Sequence, residues 1–266
     1  MFKVTKYPHG TFSWVDCAST DAASGKKFYA DLMAWGTEDI PMGDGLFYTM
    51  FKCQGEHVAA ISPMQPEMQQ QGIPSFWTSY ISVNDVDAVT KNAKDLGATV
   101  MSEPFDVFDS GRMSLINDPT GASVALWQPK NHIGAGLVNA PGALHWNELA
   151  TRDSTKACEF FGKLLGWQYE KMEGAGTDYQ VIRIDGRGNG GIMQMTEEWG
   201  DMSPHWMVYF AVADIDKSLE KVKQLGGKVE VPPVEVAGTG RFAVIADPQG
   251  AYVSLIQLES PDPWTE

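Results

Sequence analysis

The segment Gly10-Thr11-Phe12-Ser13-Trp14-Val15-Asp16 returns 132 positions later as Gly142-Ala143-Leu144-His145-Trp146-Asn147-Glu148, and no other feature limits the fold so strongly. Phe28-Tyr29 and Trp35 recur at the same spacing as Phe160-Phe161 and Trp167. Further on, Trp77, Tyr80, Val83, Asp85, Leu96-Gly97, Arg112, Asp118-Pro119 and Gly121 recur at a spacing of 129, as Trp206, Tyr209, Val212, Asp214, Leu225-Gly226, Arg241, Asp247-Pro248 and Gly250. The second copy is therefore three residues shorter somewhere between the positions of Trp35 and Trp77. Solenoid repeats run at about 20–50 residues, so a period this long is a duplicated domain. The 266 residues have room for about two domains of ordinary size. The expected division is a first domain over 1–130, a linker over 131–141 containing Gly134, Gly136 and Pro141, and a second domain over 142–266. Each half is expected to bury its own core.

Within each copy the pattern predicts strand, helix and strands, then the same again. The first strand is expected from about Thr11 to Cys17. Asp21 reads as the N-cap of a helix whose apolar face is Phe28, Tyr29, Leu32 and Met33. Leu46–Phe51 and His57–Ile61 read as paired strands around Gln54-Gly55, which gives βαββ so far. Residues 63–74, rich in Gln, Met and Pro, read as a loop. A strand from about Phe76 to Val83 leads to a helix carrying Val86, Val89, Ala93 and Leu96, with Gly97 as its stop. A short strand near Thr99-Val100 precedes a hairpin closed by Asp118-Pro119-Thr120-Gly121, residue types that a type I turn favours. The glycine-rich run 186–191 also reads as a hairpin turn, because no helix follows it to hold a phosphate.

Taken together, Thr20-Asp21, Phe28-Tyr29, Trp35-Gly36, Val83-Asn84-Asp85, Leu96-Gly97 and Asp118-Pro119-Thr120-Gly121, with their second-half counterparts, resemble the vicinal oxygen chelate superfamily. This is the glyoxalase, bleomycin-resistance and extradiol-dioxygenase group, and the likeness covers about residues 10–130 and 142–258. It implies an α+β fold of two tandem glyoxalase-like domains, each of paired βαβββ units forming a curved mixed sheet around a pocket. In metal-dependent members, His and Glu side chains on the first strand of each unit and on later strands hold a divalent ion there.

Carried over one by one, those ligand positions fall on Trp14, Thr78 and Ala125 in the first copy, and on Trp146, Met207 and Ser254 in the second. An indole N–H only donates, and Ala and Met do not ligate a hard or borderline ion. No cofactor is therefore expected, with a bound divalent metal as the alternative. His57, Glu56, His145 and His205 are weaker leads at strand entries or beside a Trp. Asp16 and Glu148 each stand two residues after a Trp, hence on the same strand face. A wide ring with a carboxylate beside it suits a flat apolar or cationic ligand. The candidate ligand-binding residues are Trp14, Asp16, Trp77, Arg112, Trp146, Glu148, Trp206 and Arg241, with Glu148 also a candidate catalytic base. In the competing reading the Trp residues fill the core, and Asp16 and Glu148 pair with Arg112 and Arg241.

The expected function is metal-independent binding of a small organic molecule. The alternatives are a glyoxalase-like lyase or isomerase, a metal-dependent dioxygenase, or a structural protein whose pockets are filled by its own side chains. A net charge of −14 disfavours nucleic acid and anionic membrane as partners. Met1–Tyr7 lacks an apolar targeting core and no long apolar run follows, so a cytoplasmic protein is expected, a monomer or weak homodimer. Cys17, Cys53 and Cys158 are scattered and odd in number, which supports neither a disulfide framework nor a CxxC metal site.

Overall fold

The computed structural model describes residues 3–173 and 177–260. The first domain runs β1 (Phe12–Ser19), α1 (Ala22–Met33), β2 (Gly36–Gly43), β3 (Leu46–Cys53), β4 (Glu56–Pro63) and a short α2 (Pro66–Gln70). It continues with β5 (Phe76–Ser82), α3 (Val86–Asp95), β6 (Thr99–Val107), β7 (Gly111–Asn117) and β8 (Ser123–Pro129). The second domain repeats this as β9 (Leu144–Thr151), α4 (Ser154–Leu165), β10 (Gln168–Lys171), β11 (Tyr179–Ile184) and β12 (Arg187–Gln194). Its second unit is β13 (His205–Ala211), α5 (Ile215–Gln224), β14 (Lys228–Val236), β15 (Gly240–Ala246) and β16 (Tyr252–Leu258).

All four long helices start on an aspartate. Asp21, Asp85, Asp153 and Asp214 each accept the backbone N–H three residues on, at 2.9–3.0 Å. A cap of this kind contributes about 1 kcal/mol. The strand order in the first domain is β2-β3-β4-β1-β5-β8-β7-β6, and the second domain's eight-stranded sheet has the same order. The antiparallel pairs β1–β5 and β9–β13 join the two units at the middle of each sheet. Each unit is therefore βαβββ, as the resemblance implies, and the first unit has one strand more than the βαββ read from its pattern. The additional strand β2 is an edge whose eight residues are all exposed, so it carries no apolar alternation. Pro41 is tolerated there because an edge strand does not need every N–H. The segment 63–74 holds the short helix α2, and the strand starting at Thr99 extends to Val107. The glycine-rich run forms a hairpin as expected, but Arg187 to Gly191 already belong to β12 and the turn is confined to Asp185-Gly186.

The helices cover one face of each sheet, and the two covered faces share their cores. One cluster joins Phe28, Tyr29, Leu32 and Phe51 of the first unit to Val208, Phe210, Leu219 and Val253 of the fourth. The other joins Ile81, Val86 and Leu126 of the second unit to Leu149, Phe160, Phe161 and Ile192 of the third. Neither half closes its helix-covered core alone, in contrast to the expectation from length, whereas Trp14, Met50, Tyr80 and Trp127 on the other face of the first sheet pack with Val4 and Val138. Polar contacts cross the seam with the apolar ones: Trp167 Nε1 donates to Gly10 O at 2.8 Å, Trp35 Nε1 to Gly142 O at 2.7 Å, and Ser79 Oγ to Asn147 Oδ1 at 2.7 Å. No helix among the described residues is long and apolar enough to cross a membrane.

Candidate functional site

The face of each sheet turned away from the helices carries the same four side chains. In the first domain β1 presents Trp14 and Asp16, and cross-strand pairing sets Tyr80 opposite Trp14 and Thr78 opposite Asp16. Tyr48 reaches in from β3. Trp14 Nε1 donates to Tyr48 Oη at 3.1 Å, and the Tyr48 and Tyr80 hydroxyls both donate to Asp16 Oδ2, at 3.1 and 2.9 Å. In the second domain Trp146 Nε1 donates to Tyr179 Oη at 3.0 Å, Tyr209 Oη donates to Glu148 Oε1 at 2.9 Å, and Tyr179 bonds to the same carboxyl. Gly191 makes this reach possible: it pairs with Glu148, and a Cβ there would overlap the Tyr179 hydroxyl. Its counterpart in the first domain is Ala60, paired with Asp16.

Both acids are half-buried among apolar and aromatic groups, and no Lys or Arg forms an ion pair with either among the described residues. Burial pushes the Asp16 carboxyl up to about 6, partly offset by the two tyrosine hydroxyls, and it raises Glu148 in the same sense. Burial raises the four tyrosines as well, and the neighbouring carboxylate adds to the effect, so their hydroxyls stay protonated donors.

The two faces differ in what lies against them. In the first domain the N-terminal arm and the linker cover the lower half. Tyr7 Oη donates to Ala135 O at 2.6 Å, Ala135 N to Ser13 O at 2.7 Å, and Trp127 Nε1 to His132 O at 2.9 Å. The His132 ring meets Trp14 edge-on at 4.6 Å, and Trp14 retains 3% of its exposure. Burial lowers His132 to about 4, so it is neutral there. In the second domain Ile256 takes the place of Trp127, and Trp146 is half-buried. Beside Trp146 lies a cleft of about 50 Å³ lined by Asn139, His145, Arg187 and Asn189, in which His145 Nδ1 and Asn139 Oδ1 are 3.1 Å apart.

The remaining sequence candidates lie elsewhere. Trp77 and Trp206 belong to the helix-covered cores, where Trp77 Nε1 donates to Tyr29 Oη at 3.0 Å. Arg112 and Arg241 pair at 2.8 Å with Asp87 and Asp216, on the first turns of α3 and α5, and not with Asp16 or Glu148. His57 Nε2 meets Glu38 at 3.2 Å, Glu56 meets Lys3 at 2.7 Å, and His205 Nδ1 lies 2.9 Å from Ser203 O. The structure thus brings together Trp14 with Asp16 and Trp146 with Glu148, and adds Tyr48, Tyr80, Tyr179 and Tyr209. Tyr80 and Tyr209 carry a signal in the repeat, since both recur at the spacing of 129.

A divalent ion in either face would need several inward His, Asp or Glu side chains. Each face offers one central carboxylate, already bonded to two tyrosines, with Trp14, Thr78 and Ala125 or Trp146, Met207 and Ser254 at the other positions, while the edge-strand acids Glu38 and Glu170 are paired with Lys52 and Arg183. Among the described residues no group of three or more His, Cys, Asp or Glu is placed to hold a metal. The donor set does not fit the ion that the fold implies.

Comparison with known proteins agrees with the duplicated architecture. A relative from Mycobacterium tuberculosis (strain CDC 1551 / Oshkosh), named "Putative glyoxylase CFP32", is 44% identical over 259 residues, covering 97% of this chain and 98% of its own. The "Anthracycline biosynthesis protein DnrV" of Streptomyces peucetius is 32% identical over 270 residues, covering 98% of both. Among solved structures, the Mn(II)-bound glyoxalase from Novosphingobium aromaticivorans superposes with a TM-score of 0.66 at 18% identity, over 96% of this chain and 84% of that one, a likeness of fold. The family model of the Glyoxalase/Bleomycin resistance protein/Dioxygenase superfamily matches residues 11–126 and again 143–255. With both halves matched, the chain belongs to the glyoxalase/bleomycin resistance protein/dioxygenase superfamily as a tandem two-domain member.

Proposed function

We propose that this chain binds a small, flat organic molecule on the helix-free faces of its sheets without a metal ion. The observation that carries the reading is the repeated Trp–Tyr–acid–Tyr network in the place where the fold otherwise supports metal ligands. Aromatic walls with one convergent acceptor orient a planar ligand, and hydroxyls locked to a carboxylate keep the acceptor in place. The half-buried Trp146 and Glu148 make the second domain the more accessible platform, whereas Trp14 is packed beneath His132. The name of the Streptomyces peucetius relative, an anthracycline biosynthesis protein, supports a planar polycyclic ligand. A catalytic reading has one observation in its favour: burial raises the pKa of Glu148, which suits a carboxyl that must both take and return a proton.

The test is a titration of acridone, a flat neutral fluorophore, into protein stripped with chelator, followed by fluorescence anisotropy. Saturable binding that is unchanged when zinc, nickel, iron or manganese is restored, and weakened by Trp146→Ala, is the expected result. Binding that appears only with a stoichiometric divalent ion would overturn the metal-independent reading.

A further inference from the structure

One seat on the two sheets is filled in the first domain and is a cleft in the second. Ser13 and His145 occupy the register shifts of β1 and β9, where the first strand of each domain steps out of pairing with its antiparallel partner. In the first domain the linker lies in that step as a strap. Ala135 N donates to Ser13 O at 2.7 Å, and Gly136 N donates to His57 O, near the start of β4, at 2.8 Å. The N-terminal arm ties the strap down: Val4 N donates to Gly136 O at 3.0 Å and Tyr7 Oη to Ala135 O at 2.6 Å. Glycines permit this approach, because a Cβ on Gly134 would overlap Ser13 O and one on Gly136 would meet Glu56 Oε2 at 2.7 Å. In the second domain Gly188 stands three residues before Gly191, as His57 stands three before Ala60, and it lines the cleft beside Trp146 together with His145.

The strap closes this seat at a cost. It lays the His132 ring on Trp14, and His132 Nε2 is buried there without a hydrogen-bond partner among the described residues. A buried nitrogen of this kind favours any arrangement that returns it to water. Beneath the strap, Trp14, Tyr48, Asp16 and Tyr80 keep the same network that the second domain offers uncovered. Resting on the reading of these faces as ligand sites, we propose that the strap over 132–136, tied by the N-terminal arm, is an autoinhibitory plug. It withholds the first-domain site, so the chain takes one flat aromatic ligand, in the second domain. Displacing the strap opens a second site of the same chemistry.

The number of acridone molecules bound per chain is the test, read by anisotropy titration at protein concentrations well above the dissociation constant. The natural chain should saturate at one equivalent, with affinity lowered by Trp146→Ala. Gly134→Ala forces the strap away from Ser13 O and should bring in a second equivalent. Should Gly134→Ala fail to fold, Tyr7→Phe is a milder wedge that removes only the bond to Ala135 O. A site hidden behind a closed form gains apparent affinity as that form loses stability, so the second equivalent should bind about fivefold more tightly in Tyr7→Phe than in the natural chain. Two equal sites in the natural chain, or one site indifferent to Trp146→Ala, overturn the plug and leave the general ligand reading standing. So does a folded Gly134→Ala chain that stops at one equivalent, or a Tyr7→Phe chain with no gain. Failure of acridone to bind at all overturns both.

Discussion

The seam between the domains contains a broken symmetry that a single hydroxyl should repair. On one side, Tyr29 Oη accepts from Trp77 Nε1 at 3.0 Å and donates to Asp247 Oδ2 at 3.0 Å. At the equivalent place on the other side stand Phe161, Trp206 and Asp118, and there Trp206 Nε1 and Asp118 Oδ2 are both buried without a partner. The rings are arranged alike: Tyr29 and Trp77 lie 5.1 Å apart at 85°, and Phe161 and Trp206 5.7 Å apart at 77°. Phe161→Tyr therefore supplies one donor and one acceptor to two stranded atoms. Each buried unsatisfied group costs about 1–3 kcal/mol, and fitting an extra oxygen into a packed core costs part of the gain. A net stabilisation of about 1–2 kcal/mol is expected, or roughly 2–8 °C in Tm for a chain of this size. The reverse change, Tyr29→Phe, strands Trp77 and Asp247 and should cost about 2 kcal/mol. Urea unfolding followed by tryptophan fluorescence measures both. If Phe161→Tyr destabilises as much as Tyr29→Phe, the network does not stabilise the seam and the reasoning is wrong.

Two further outcomes follow from the helix-free faces. Gly191→Ala should displace Tyr179 from Glu148, with a cost of about 1–3 kcal/mol and weaker acridone binding in the second domain, whereas Ala60→Gly in the first should leave the Tyr48–Asp16 contact formed; unchanged acridone affinity in Gly191→Ala would count against the role of Tyr179. The second concerns pH. Asp16 titrates at about 6 when folded and at the ordinary 3.8 when unfolded, so its contribution to stability is fully present below about pH 4 and is lost as pH rises through 6. The shift corresponds to about 3 kcal/mol, discounted to about 1–2 kcal/mol because the group is half-buried. The stability of the natural protein relative to Asp16→Asn should fall by that amount from pH 4 to pH 7, as read by urea midpoints, and a rise over that interval would contradict the buried-acid assignment.

The duplication, the four aspartate caps and the Trp–acid pairs are all legible in the chain, because each is a local pattern repeated at a fixed spacing. Trp77 and Trp206 show where local pattern stops: each lies three residues before Tyr80 or Tyr209, an odd separation that turns the indole to the opposite face of the strand. Tyr48 and Tyr179 escaped because they are 131 positions apart, between the two spacings by which the copies are recognised. Edge strand β2 escaped because neither of its faces is buried, so its residues were free to read as loop. The shared cores could not be read from composition, since an apolar helix face is the same sequence whether its cover comes from its own domain or the other.

That cross-cover has a consequence for how the chain is made. The first unit's Phe28 and Tyr29 are closed by Val208, Phe210 and Val253, and the second unit's Ile81 and Val86 by side chains of the third. During synthesis the first domain leaves the ribosome with an apolar back that has no cover until residues beyond 250 have followed. At about 5–20 residues per second, that surface waits several seconds for its partner. The nascent first domain is thus a natural client for chaperones, and a chain truncated near the linker would be born with the sticky side outward.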